Sequence, residues 1–286
     1  MMNNKIRNIR VGGVPEHFNL PWHLCIENKE FESHDIDLTW TDFHGGTGEM
    51  SEALKNGDVD IAVMLTEGSI KEICEGNTFK ILQSYIQTPL MWGMHVDANS
   101  KYHDMRDLRG KTAAISRYGS GSHLMSYVNS NNNNWNLEHL DFKIIKNLNG
   151  AIESLTEGTS DYFLWEHFTT KPLVDKGIFR RIGDVPSPWP CFVIVTTEKF
   201  IKDNSEVIPD ILEPLNQKSK TFKTIKDIDD LVSKRYQLKI EDVEEWLSIT
   251  EWSQQQISEN DVLVTQKKLI DLGLVSKRKT YSEIIY

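Results

Sequence analysis

One pattern occurs twice in this chain, and it restricts the possible folds more than any single residue does. The run Ser51-Glu-Ala-Leu-Lys-Asn-Gly57-Asp-Val-Asp60, continued by Ile61-Ala-Val-Met64, aligns without a gap on Ile152-Glu-Ser-Leu-Thr-Glu-Gly158-Thr-Ser-Asp161, continued by Tyr162-Phe-Leu-Trp165. In both copies a helical pattern stops at a glycine, the residue that most readily takes the left-handed conformation closing a helix. An aspartate then leads into an apolar strand. In a chain of 286 residues, two such copies imply two similar α/β lobes of ordinary domain size.

Short apolar runs alternate with helical patterns up to about residue 200, which is the pattern of βα units and mainly parallel sheets flanked by helices. Strands are expected at Ile9–Val14, Ile36–Phe43, Val59–Leu65, Phe79–Ile86, Leu90–Val96, Lys111–Arg117, Phe142–Lys146, Asp161–Glu166 and Phe192–Thr196. Pro21 suits the first turn of a helix through Trp22, Leu24, Cys25 and Ile26, where its missing N–H would have had no partner. Beyond residue 200 only helices are expected, a helical C-terminal tail in which Gly273 ends the last long helix. The polar stretch Asn129–Asn134 reads as a loop extension of the second lobe.

Lys and Arg number 32 against 42 Asp and Glu, and the net charge of -10 argues against nucleic acid or an anionic lipid surface as a partner, since both need a basic face. No apolar run approaches the ~20 residues of a membrane-spanning helix, so no membrane insertion is expected. Cys25, Cys74 and Cys191 are too few and too far apart for a disulfide framework or a zinc motif, and they read as small buried hydrophobes. The polar leader Met1–Arg10 lacks the apolar stretch of an export signal, and on that ground the location is expected to be cytoplasmic.

The order of these elements resembles the type II periplasmic substrate-binding-protein family, in its nitrate, sulfonate and thiamine-precursor branch. Ala53–Met64, Asp107–Leu124, and Ala151–Phe168 with the return at Trp189–Val195 carry the resemblance, which with the helical tail extends over nearly the whole chain. It implies a first lobe built from both chain ends, 1–91 and 192–286, and a second lobe inserted as 92–191. Two hinge strands near Leu90–His95 and Cys191–Val195 would join them, with a ligand clamped between. The chain departs from transport members in having no export signal or lipid-anchor cysteine, which argues against a transporter partner. It departs from the thiamine-pyrimidine synthases in having no cysteine cluster, which argues against their iron-dependent chemistry.

Ligands of open α/β sheets sit beyond the carboxyl ends of the strands, so the loops there hold the candidate ligand-binding residues. In the first lobe these are Glu16, His17 and Phe18, then Gly46 and Thr47 in a glycine-rich helix start, then Glu67. Glycines there let backbone N–H groups approach a bound oxygen, although a tight turn explains them equally well. In the second lobe Arg117, Tyr118, Ser120 and Ser122 combine a guanidinium, hydroxyls and a helix amino end, a set suited to a carboxylate, sulfonate or phosphate. The plain alternative is a serine N-cap beside a surface ion pair. Trp165 and Glu166 complete the set, with Glu166 expected to face Glu67 across a cleft and, with Glu16, to favour an amine or amidine group.

His17, His44, His123 and His167 also fall in these loops, but no pair has HxH or HExxH spacing. No metal and no other cofactor is expected, whereas acid–base catalysis by one of these imidazoles beside a carboxylate stays open. The resulting expectation is a small-molecule binding protein closing a cleft between two lobes on an organic anion or zwitterion. The alternatives are a cytoplasmic metabolic enzyme on the same scaffold, thiamine-precursor- or chorismate-dehydratase-like, using Glu16 or Glu166 with a His, and a ligand sensor signalling through its tail.

Overall fold

Each copy of the repeat lies in its own five-stranded sheet in the structure, a computed structural model that describes residues 6–286. The chain divides into two units, one made of the residues up to Thr88 together with Trp189–Tyr286, the other of Pro89–Pro188. It therefore crosses between units at Thr88–Pro89 and at Pro188–Trp189, three residues before each boundary expected from the sequence.

Unit 1 opens with β1 (Arg7–Gly13), α1 (Leu20–Glu27), β2 (Ile36–Asp42), α2 (Thr47–Asn56), β3 (Ile61–Leu65), α3 (Thr66–Cys74) and β4 (Phe79–Ile86). Unit 2 contains β5 (Met91–Asp97), β6 (Thr112–Ile115), α4 (Gly121–Asn132), β7 (Asp141–Ile144), α5 (Leu148–Thr156), β8 (Tyr162–Glu166), α6 (Lys171–Asp175) and β9 (Phe179–Pro186). The chain returns to unit 1 as β10 (Phe192–Thr197), followed by α7 (Glu198–Asn204), α8 (Ile208–Thr221), α9 (Ile228–Tyr236), α10 (Ile240–Ile249), α11 (Glu259–Asp271) and α12 (Tyr281–Ile284).

The sheet of unit 1 has the order β2-β1-β3-β10-β4 and that of unit 2 the order β7-β6-β8-β5-β9. These are one order twice, with β10 corresponding to β5. In each sheet the second strand in this order is parallel to both neighbours, β1 to β2 and β3, and β6 to β7 and β8. β10 and β5 run antiparallel to both of theirs, so the sheets are mixed. Strands covered on both faces read as unbroken apolar runs. Accordingly Ile61 to Met64 of β3 and Phe192 to Val195 of β10 are all buried, as are Tyr162, Phe163 and Leu164 of β8.

The repeat is also a repeat of hydrogen bonds. Gly57 (φ 74°) and Gly158 (φ 68°) both end their helices in the left-handed region. The N–H of Asp58 then donates to the Ala53 carbonyl at 2.8 Å, and that of Thr159 to the Ser154 carbonyl at 2.9 Å. Next, Asp60 and Asp161 each bracket the adjacent parallel strand. The backbone N–H of Asp60 donates to the Arg10 carbonyl and that of Asp161 to the Thr112 carbonyl, both at 2.8 Å. In return the Asp60 carboxylate accepts the Arg10 N–H at 2.8 Å, and the Asp161 carboxylate accepts the Thr112 N–H at 2.9 Å.

Two sequence expectations are corrected. Asn129–Asn132 is not loop but the last turn of α4, because Asn129 and Ser130 are buried and the Asn133 side-chain amide donates back to the Asn129 carbonyl at 2.8 Å. The strand β9, absent from the expected set, forms the edge of unit 2 beside β5. Beyond residue 200 the long elements are helices, yet single bridges Ile81↔Ile285 and Ile86↔Trp252 lay the tail along β4, covering an edge that would otherwise offer unpaired backbone groups. Cys25 and Cys191 are buried and Cys74 is half-buried. No helix of the described residues is long and apolar enough to cross a membrane.

The bracket predicts a stability effect. Asp161 also accepts the Tyr102 hydroxyl at 2.7 Å, so Asp161→Ala leaves two donors without their acceptor and should lower the unfolding free energy by about 1–3 kcal/mol. Urea unfolding with an unchanged slope checks it, and Asp161→Asn, which keeps one acceptor oxygen, should lose less.

Candidate functional site

Because β1, β2 and β3 run in one direction, the loops that follow them emerge at one end of the unit 1 sheet. The loop after β1 makes a tight turn at His17–Asn19, and there His17 and Phe18 prove to be core residues. The His17 ring lies 4.8 Å from Phe18 and 4.3 Å from Trp246 of α10, and burial drives its pKa down to about 3, so it stays uncharged. Phe18 packs on Phe192 and Trp246, and its carbonyl accepts the Tyr85 hydroxyl at 2.8 Å. Glu16 just before them is buried, and its carbonyl closes the turn by accepting the Asn19 N–H.

The loop after β2 ends at Gly46, whose φ of 68° and ψ of -154° fall in a region open essentially to glycine alone. Thr47 follows as the first residue of α2 and spends its hydroxyl on the Leu65 N–H at 3.3 Å, tying α2 to the end of β3. Both residues therefore have a structural role in the turn.

Glu67, in the first turn of α3, is different. It is 2% exposed, and one carboxylate oxygen accepts the indole N–H of Trp189 at 2.7 Å. The other oxygen, Oε1, is buried with no hydrogen-bond partner, as is the hydroxyl of the preceding Thr66. Burial pushes the Glu67 carboxyl up to about 7, against the opposing pull of its own backbone N–H and of Trp189.

In unit 2 the loop after β6 is largely bonded to itself. Ser120 caps α4, its hydroxyl lying 3.1 Å from that of Ser122, which in turn accepts the Ser116 N–H at 3.1 Å. His123 Nδ1 accepts the Gly119 N–H at 3.0 Å while Phe142 and Tyr118 pack edge-on against its ring. Tyr118 is 62% exposed and Arg117 half-buried. Three groups of unit 2 are buried without a partner at the ends of its strands: the Ser116 hydroxyl after β6, the Thr169 hydroxyl after β8, and the indole N–H of Trp92, which pairs with Glu166 across β5 and β8. All three sit at the end of the sheet where its parallel strands finish.

Glu166 is 3% exposed and accepts the Thr169 N–H at 2.6 Å, and burial raises its pKa. His167 is held on both ring nitrogens. Arg181 has only protons to give, so Nε2 is the acceptor from its guanidinium, and Nδ1 donates to Asp184 at 2.8 Å. Desolvation opposes charge on Asp184, but the His167 hydrogen bond and the Arg181 charge outweigh it and hold the carboxyl below its ordinary value. With its basic nitrogen occupied, His167 is poorly placed to serve as a general base. Trp165 stacks on Phe163 at 5.3 Å and packs against the core of unit 2.

Glu67 and Glu166 do not occupy equivalent positions of the two units. The N–H of Thr66 donates to the Cys191 carbonyl at 3.1 Å and that of His167 to the Met91 carbonyl at 2.9 Å, which matches Thr66 with His167. The Ser69 and Thr170 hydroxyls confirm the register, donating to the Leu65 and Glu166 carbonyls at 2.8 and 2.9 Å. Glu166 thus corresponds to Leu65, and Glu67 to Phe168. Among the described residues no group of three or more His, Cys, Asp or Glu side chains is arranged to hold a metal ion.

A family model described as Ca3427-like PBP matches residues 92–185, nearly all of unit 2. Over the whole chain, the Candida albicans CA3427 gene product, described as exhibiting the generic periplasmic binding protein structural fold, is 25% identical. That comparison covers 95% of this chain and 92% of that one, with a TM-score of 0.87. The chain has the type II periplasmic-binding-protein fold. The alkanesulfonate-binding protein SsuA from Xanthomonas axonopodis pv. citri, bound to MOPS, shares that fold at 15% identity and a TM-score of 0.82, with 99% of both chains covered. PhnD1 from Prochlorococcus marinus, in complex with methylphosphonate, does so at 10% identity and 0.66, over 95% of this chain and 100% of that one. Comparison with curated protein sequences finds no match.

In this periplasmic-binding-protein fold, sequence reasoning named Glu67 and Arg117 but passed over Thr169, Asp184 and Arg181. The last two lie on β9, which carries no clear strand pattern. A groove of about 430 Å3 between Glu30 to His34 and α8 involves none of the candidate loops and is crossed by the Lys218–Glu30 ion pair at 2.6 Å.

Glu67 predicts a pH dependence of stability. Between its ordinary value of 4.5 and about 7 the unfolded chain releases this proton while the folded chain keeps it. Its contribution is therefore complete below about 4.5 and is lost as the pH rises to about 7, on the order of 3 kcal/mol in all. The difference in unfolding free energy between wild type and Glu67→Gln, followed by urea unfolding from pH 4 to pH 8, should show this slope.

Proposed function

We propose that this chain is a small-molecule binding protein whose two units close on an organic anion or zwitterion. The observation that carries the reading is the set of buried groups at the strand ends of unit 2: Trp92 Nε1–H and the Ser116 and Thr169 hydroxyls, all without a protein partner. An indole nitrogen can only donate, so what satisfies it is an acceptor. Leaving such a donor buried and unpaired costs about 1–3 kcal/mol, and an anionic oxygen removes that cost while forming stronger, charge-assisted bonds. Arg117, on the same loop system, adds a planar fork of donors of the kind that matches carboxylate, sulfonate and phosphonate oxygens. The alkanesulfonate-binding and methylphosphonate-bound proteins that share the fold support the same ligand class.

The test is a thermal-shift and calorimetry screen of small sulfonates, phosphonates and carboxylates. A true ligand at about 100 times its dissociation constant should stabilise the protein by roughly 2.7 kcal/mol and lower the radius of gyration measured by X-ray scattering. Strong stabilisation without compaction speaks against closure. Arg117→Ala should cost about 2–5 kcal/mol of binding with the fold intact, and Lys at that position should restore only part of it. Trp92→Phe, which keeps the ring but removes the donor, should cost about 1–3 kcal/mol. Unchanged affinity in both variants would remove the anion site from unit 2.

A further inference from the structure

Glu67 presents the opposite chemistry to the donors of unit 2. Its Oε2 is filled by the Trp189 indole, and its Oε1 is buried with no partner. No Lys, Arg or His among the described residues forms an ion pair with it, and no cation figures among the influences on its pKa. A second acceptor lies at the same end of unit 1. Asn19 is 1% exposed, its amide nitrogen donates to the Val14 carbonyl at 2.8 Å, and its Oδ1 has no donor. Two buried acceptors, one of them a carboxyl, call for a group rich in N–H donors.

We infer that Glu67 receives an ammonium or amidinium group of the ligand, so that the ligand is a zwitterion and not a simple anion. The inference rests on the reading above that the chain binds a small organic anion. Position and chemistry both favour the role. The first turn of a nine-residue helix stabilises a carboxylate, and the indole bond fixes the orientation of its second oxygen. Burial without a counter-ion keeps the carboxyl largely protonated up to about pH 7. An arriving cation removes that penalty, so the proton leaves Glu67 for solvent as the ion pair forms.

Calorimetry with matched probes tests this: 2-aminoethanesulfonate against propane-1-sulfonate, and 2-aminoethylphosphonate against propylphosphonate, at pH 8. The wild-type protein should bind the amino member of a pair more tightly by about tenfold or more. Glu67→Gln, similar in size and able to keep the Trp189 bond, should abolish that preference by weakening the amino member. In the unmodified protein the preference should also shrink from pH 8 to pH 5.5, a readout that needs no variant. Equal binding of both members by wild type, or a preference that survives Glu67→Gln or does not change with pH, overturns the Glu67 assignment. If in that case Arg117→Ala still weakens the amine-free probes, the anion reading stands without it. Binding of no probe by the wild type overturns both.

Discussion

Side chains alternate faces along a strand, so a slip of one residue between β3 and β1, or between β8 and β6, would exchange the two packed faces of the strand and displace everything that follows it. Asp60 and Asp161 prevent that slip. Each donates from its backbone to the neighbouring strand and accepts from the same residue through its carboxylate, a two-point contact that only one register satisfies. Everything downstream is counted from there: Thr66 and Glu67 at the start of α3, and Glu166, His167 and Thr169 at the end of β8. The Arg10 side chain adds two bonds to Asp60, at 3.0 and 2.7 Å, and the Tyr102 hydroxyl adds one to Asp161, so the two copies keep the bracket and vary its reinforcement.

The same duplication shows how equivalent scaffolds come to offer unlike chemistry. At matched positions, unit 1 has Leu65, Thr66 and Phe192 where unit 2 has Glu166, His167 and Trp92. The backbone bonds and the hydroxyls of Ser69 and Thr170 are retained. What changes is which side chains stand at the strand ends: a carboxyl and one hydroxyl with open buried atoms in one unit, an indole and two hydroxyls in the other. Three of the four loop imidazoles have been put to structural use. His17 is a core ring, His123 accepts a backbone N–H, and His167 is pinned between a carboxylate and a guanidinium.

Much of the fold was legible because burial on both faces writes strands as apolar runs, and because Gly57 and Gly158 end helices in a conformation other residues resist. β9 was not legible for the converse reason. Its residues Phe-Arg-Arg-Ile-Gly-Asp-Val-Pro neither alternate nor run apolar, and its arginines are used inward. Arg180 donates to the carbonyls of Ala98, Ser100 and Tyr102, a role that shows only once the chain is folded. The asparagines of α4 misled because polar residues at the end of a helix can be buried when they bond to one another. For the candidate site, sequence supplied the loops, and on them Glu67 and Arg117, the two charged residues on which the proposals rest. The loss of His17 and Phe18 to the core, and the pairing of Glu67 with Trp189, depend on packing between segments far apart in the chain.

The order in which strands occur along the chain also differs from one unit to the other. The sheet of unit 2 lies within a single uninterrupted stretch, β5 to β9, whereas that of unit 1 places β10 between β3 and β4. During synthesis, β3 and β4 therefore leave the ribosome without the strand that joins them. Two apolar edges wait while all of unit 2, Pro89–Pro188, is made, roughly 5–20 s at about 5–20 residues per second. The inserted unit can be complete before its host is, and the nascent chain is most open to mispairing and to chaperones in that interval.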